Sequence, residues 1–165
     1  MTGPIIHHVA ISTPDLERSL DFYRDLLGFE VVFDGGWPPG TAVADAITGL
    51  RGSSARQVLL KGGNAYLELF QYETPSPRPG QPDRPACDHG ITHLCVDVED
   101  IDAEYARLSA AGMLFHDLPQ DVGFGSGVRT IYGRDPDGNI VEIQEIAQGN
   151  HRFGFPALSG VEPAG

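Results

Sequence analysis

The sequence predicts an α+β fold of two tandem βαβββ modules, and three observations predict it. Residues 5–23, IIHHVAISTPDLERSLDFY, return in altered form as residues 90–108, GITHLCVDVEDIDAEYARL. Each copy is followed by short strand-like runs bounded by turn residues. A proline-rich joint lies between the two halves. The expected layout is one domain over 1–165: a first module at 4–73, a joint at 74–89, a second module at 90–147 and a tail at 148–165.

In the first copy, residues 5–12 (IIHHVAIS) read as a strand rich in β-branched residues. Thr13-Pro14-Asp15 then supplies an N-cap, a proline suited to the first helical position and an acid in the first turn. Leu16, Leu20, Tyr23 and Leu27 recur at helical spacing, and Gly28 closes the pattern. An offset of 85 residues carries His8 to His93, Asp15 to Asp100, Leu16 to Ile101, Leu20 to Tyr105 and Tyr23 to Leu108. Gly112 again ends the helix. That period is too long for a solenoid and marks an internal duplication.

Three more strands are predicted in each half: 29–34, 56–61 and 65–72 in the first, and 113–118, 128–133 and 139–146 in the second. Gly62-Gly63-Asn64 joins one pair and DPDGN (135–139) another, both turn sequences. In the joint, prolines at 75, 77, 79, 82 and 85 exclude helix and strand. The tail has no clear periodicity.

Composition narrows the function. The chain has 165 residues, 41% hydrophobic, with a formal net charge of −12 from 23 acidic and 11 basic residues. No Lys/Arg cluster offers a nucleic-acid face. No apolar run approaches the ~20 residues that span a bilayer, and the N-terminal residues lack the basic and apolar pattern of a secretory signal. A cytoplasmic protein with a small-molecule substrate is the expectation. Cys87 and Cys95 are too few for a disulfide framework, and Cys95, inside an apolar run, is expected to be a buried thiol.

Strand alternation selects candidate site residues. His8, Ala10 and Ser12 share one face of the first strand, and His93, Cys95 and Asp97 share the matching face of its repeat. Both faces point away from the helix. In the last strand of each half, Glu68 and Glu142 stand among apolar or aromatic neighbours, where a lone carboxylate is costly. Two imidazoles and two carboxylates in pseudo-symmetric positions describe a divalent-metal site. His7 is assigned to the helix side or solvent. His89, His116 and His151 are placed in loops or at strand edges, and Glu145 in solvent. Trp37, Phe70, Tyr72, Phe124 and Phe153 are candidates for an apolar lining. GFGSG (123–127) lacks the lysine and setting of a phosphate loop and reads as a flexible loop.

The duplicated HHVAIST-PDLERSLDFYRDLLGFEVV, the LELF strand and the closing DPDGNIVEI resemble the vicinal oxygen chelate superfamily over about residues 4–147. That group includes glyoxalase I, methylmalonyl-CoA epimerase, extradiol dioxygenases and bleomycin resistance proteins. The resemblance implies a curved, incompletely closed mixed β-sheet with helices outside, and a homodimer. It places His8, Glu68, His93 and Glu142 as ligands of one divalent ion, with zinc, nickel, cobalt, manganese and iron all compatible. It also implies proton transfer next to a carbonyl, by an isomerase, epimerase or lyase working through a metal-stabilised enolate, with Glu142 or Glu68 as the base.

Two departures separate the chain from bacterial glyoxalase I: Ser12 stands where an arginine is usual, and Tyr72 where an asparagine is expected. Methylmalonyl-CoA epimerases commonly have glutamine where this chain has Glu68. An extradiol dioxygenase is the redox alternative, disfavoured because Glu68 adds a fourth ligand to its two-histidine, one-carboxylate iron site. A non-catalytic drug-binding protein is the third class, disfavoured because all four ligand residues are present.

Overall fold

The computed structural model describes residues 4–123, 125–148 and 154. The chain divides into two compact units: residues 1–84 with Asp135–Gly138, and residues 85–134 with 139–165.

In the first unit β1 (His8–Ser12) leads into α1 (Leu16–Leu20), which continues as a π-helical segment over Asp21–Leu26. Then come β2 (Glu30–Trp37), α2 (Ala42–Thr48), β3 (Ser54–Gly62) and β4 (Ala65–Thr74). The sheet order is β1-β4-β3-β2, with β1 parallel to β4 and the other pairs antiparallel. The second unit has β5 (His93–Asp97), α3 (Ile101–Ala110), β6 (Leu114–Phe115), β7 (Gln120–Asp121), β8 (Val128–Arg134) and β9 (Ile140–Ile146). Its order is β5-β9-β8-β6, again with the first pair parallel, and β7 pairs with β8. The same strand order in both halves makes the duplication structural. The result is an α+β chain with two mixed sheets, neither closed into a barrel among the described residues.

The apolar stripe packs as its spacing demands: Leu16, Leu20 and Tyr23 are buried together with Val58, Leu60, Leu67 and Leu69. In the second unit Ile101 and Leu108 are buried with Val141 and Ile143. The alternate residues of β4 and β9, Glu68 and Glu142 among them, are less buried.

Several elements differ from the sequence reading. The helix cap is Asp15 rather than Thr13: its Oδ1 accepts from Arg18 N at 3.1 Å, and Asp100 caps α3 with almost the same backbone angles. Thr13 is instead buried, its hydroxyl accepting from Asp15 N at 3.1 Å. Helix α2 was not foreseen, because seven residues hold too few apolar positions to show a period. The strand expected at 113–118 shrinks to Leu114–Phe115.

Residues of the joint form no helix or strand beyond Thr74. DPDGN makes a tight turn, with Gly138 N donating to Asp135 O at 3.0 Å and Gly138 at φ +88°. A Cβ at Gly138 would collide with the Pro82 backbone, so this position needs glycine on two counts. Within the first unit, buried Tyr23 donates to Asp135 Oδ2 at 2.8 Å and Arg18 pairs with Asp137. Phe124, His151, Phe153 and nearly all of the tail lie outside the described residues. Among the described residues no helix is long and apolar enough to cross a membrane.

Candidate active site

Each unit carries one imidazole–carboxylate pair, built in the same way. In the first, β1 runs parallel to β4 with Ala10 opposite Glu68, which brings His8 onto the Glu68 face. His8 Nε2 lies 3.5 Å from Glu68 Oε2. In the second, Cys95 stands opposite Glu142, and His93 Nε2 lies 2.9 Å from Glu142 Oε2. Both glutamate side chains are only 14% exposed, whereas the His8 and His93 side chains are 43% and 26% exposed. A carboxylate that is mostly withdrawn from water needs compensation, and a facing imidazole supplies part of it.

The other atoms of each pair are also engaged. Glu68 Oε1 accepts from Gln57 Nε2 and Glu142 Oε1 accepts from Thr130 Oγ1, both at 2.5 Å. His8 Nδ1 is 3.0 Å from His7 Nδ1, and His93 Nδ1 is 2.8 Å from Thr92 Oγ1. So the residue before each histidine holds Nδ1 and leaves Nε2 towards the carboxylate. His7 is therefore more than a surface residue: it touches His8 and stacks on Tyr66 with ring centres 4.6 Å apart. Its proximity to His8 in sequence was the available signal. Neither Gln57 nor Thr130 had one, because their roles depend on strand register.

Cys95 corrects another expectation. It is exposed rather than buried. Its sulfur nonetheless sits against Glu142; local desolvation first, then the Glu142 charge, push the thiol up to about 12. Such a group stays protonated and is a poor nucleophile at neutral pH. Glu145 is not free in solvent either. Its Oε2 accepts from Ile101 N at 2.9 Å, and Gln71 Oε1 accepts from Leu16 N at 2.8 Å, so the helix-facing side of each last strand anchors a helix start.

On the Glu68 side stand three rings. Trp37 lies 5.8 Å from Phe70 and 5.9 Å from Tyr72, at 69° and 78°, and Phe70 and Tyr72 are 5.6 Å apart. A polar chain sets the indole: Trp37 Nε1 donates to Ser53 Oγ at 3.0 Å, and Ser53 Oγ donates to Asp45 Oδ1 at 2.7 Å. Asp45 also accepts from the backbone N–H groups of Gly52 and Ser53. The Ser53 hydroxyl, with these two amides, holds the Asp45 carboxyl below the usual range. Desolvation and then the Glu68 charge raise the Tyr72 phenol, which places this aromatic group within the field of that carboxylate.

In each half an imidazole Nε2 and a carboxylate Oε2, donors of the kind a borderline divalent ion takes, face one another. Among the described residues no group of three or more His, Cys, Asp and Glu is close enough to hold a metal ion, so each pair offers two donors.

Residues 5–143 match the model of the Glyoxalase/Bleomycin resistance protein/Dioxygenase superfamily, and the chain belongs to that superfamily. It is 30% identical to 2-epi-5-epi-valiolone epimerase of Actinomyces sp, over 87% of this chain and 80% of that one. It is 27% identical to lactoylglutathione lyase of Pseudomonas putida, over 84% and 83% respectively. Among solved structures, a glyoxalase family protein from Bacillus cereus matches with a TM-score of 0.75 over 86% of this chain and 94% of that one, at 21% identity, which speaks to the fold.

Proposed function

We propose that this chain is a divalent-metal-dependent enzyme that moves a proton next to a carbonyl in a small organic substrate, as an epimerase, isomerase or lyase. The observation that carries this reading is the repeated imidazole–carboxylate pair, Nε2 to Oε2, in both halves. Membership of a superfamily with epimerase and lyase relatives supports the reaction class.

His8, Glu68, His93 and Glu142 would hold one ion, whether the two pairs come from one chain or from two copies. The ion, when bound, supplies a Lewis acid that draws charge from the substrate's carbonyl oxygen. The chain's carboxylates do the rest. Glu142 or Glu68, whichever is released from the ion at that moment, takes the proton from the neighbouring carbon through Oε2, while Oε1 stays hydrogen-bonded to Thr130 or Gln57. A proton removed by one carboxylate and returned by the other to the opposite face inverts the carbon. Returned to an adjacent atom, it gives isomerisation. Trp37, Phe70 and Tyr72 offer the substrate's non-reacting part an apolar wall.

Elemental analysis of protein purified without chelator is expected to find close to one divalent ion per chain, lost in His8→Ala and Glu142→Ala. Retention of the full complement by both variants would overturn the ligand assignment. Metal-loaded protein is expected to carry solvent deuterium into at least one compound of a panel of 2-oxo acids, 2-hydroxy acids and acyl thioesters. Oxygen uptake with catechols and no exchange anywhere would replace the proposal with dioxygenase chemistry.

A further inference from the structure

We infer that Gln57 and Thr130 are positioning residues that fix the two candidate ligand carboxylates in a one-oxygen binding mode; this rests on the proposed reading of the site. Gln57 pairs across from Phe70, two residues beyond Glu68, and Thr130 pairs across from Gln144, two residues beyond Glu142. Both are thus diagonal neighbours of a glutamate on the same sheet face, within reach of a side chain. Each donates one 2.5 Å hydrogen bond, and each takes the same oxygen, Oε1. Oε2 is left towards the histidine in both halves.

The residue types differ, an amide in one half and a hydroxyl in the other, yet the division of the two oxygens is the same. Only strand register and donor reach are shared. A bond at Oε1 does two things. It fixes the terminal torsion of a side chain that is otherwise broadly free, and it makes binding through both oxygens of one glutamate unfavourable. Coordination sites that two-oxygen binding would fill then stay open for substrate.

Thr130 has a further feature. Its oxygen is also 3.1 Å from Ile143 O, but its single hydrogen serves one acceptor at a time. The shorter contact to a charged oxygen takes it.

The test is zinc affinity, measured by competition with a chromophoric chelator, on wild type, Gln57→Leu, Thr130→Val and Thr130→Ser. Each of the first two variants is expected to bind zinc about 10–100-fold more weakly, the usual effect of removing a partner that orients a ligand. Thr130→Ser keeps the hydroxyl and is expected to restore wild-type affinity. Melting temperatures of the metal-free proteins separate this from a general loss of structure. Wild-type affinity in both Gln57→Leu and Thr130→Val overturns the positioning role and leaves the metal site standing. A wild type that binds no zinc, nickel, cobalt, manganese or iron overturns the site itself. Should Thr130→Val fail to fold, Gln57→Leu decides the same question in the other half.

Discussion

Replacing Tyr23 by phenylalanine should remove one identifiable bond and little else. The phenol is 1% exposed, and its hydroxyl donates to Asp135, itself 5% exposed, at 2.8 Å. The ring remains in the phenylalanine variant, so its contacts with Phe22 and Phe29 persist. A hydrogen bond to a charged acceptor contributes about 1.5–3 kcal/mol, and its loss leaves the buried carboxylate with one donor fewer. At about 2–4 °C per kcal/mol for a chain of this size, the melting temperature should fall by roughly 3–12 °C.

The pH dependence adds a second check. Burial first, then the charge and hydrogen bond of Asp135, hold the Tyr23 phenol well above its ordinary value of 10.0. Raised in the folded state, it contributes stability that is full below about pH 10 and is lost as pH rises through the folded-state value. Calorimetry from pH 7 to 11 should therefore show wild type and variant separated at neutral pH and converging at the alkaline end. A gap below about 1 °C at pH 7, or one that stays constant to pH 11, would refute the assignment, since the scale expected is several degrees.

Gln71→Ala and Glu145→Ala each remove the acceptor for the first amide of a helix, and each should cost about 1 kcal/mol in urea unfolding. Asp45→Ala should release Ser53 and loosen Trp37, the only tryptophan, so its fluorescence should shift to the red. Because the Asp45 carboxyl is held below its ordinary value of 3.8, wild type should keep its spectrum as pH falls through that value and acquire the shift only at lower pH. A spectrum unchanged in Asp45→Ala would exclude the Asp45–Ser53–Trp37 chain.

How much of this was legible beforehand depended on distance along the chain. The strand–helix units at 5–28 and 90–112 are periodic patterns in contiguous residues, so their type, their buried stripe and their repetition could be read directly. Strand alternation is equally local, and it set His8 and Glu68 on faces turned from their helix cores. The cap at Asp15 was misplaced by two residues because Thr13 and Asp15 are both good caps, and the choice is made by the fit of Thr13 into the core. Helix α2 and the short β6 fall below the length at which a period can be recognised.

The partners of the site were beyond such reading. Gln57 and Thr130 meet Glu68 and Glu142 only because antiparallel register places them one diagonal away, and a shift of one residue would turn them to the other face. Glu145 and Gln71 meet helix starts 44 and 55 residues away in the chain, as neighbours in space alone. The chain by itself determined which side chains are candidates for chemistry and which way they face, because the first follows from residue type and the second from local backbone geometry. Tertiary structure decided which donor each of them touches, because hydrogen bonding is short-ranged and long-range pairing sets the distances.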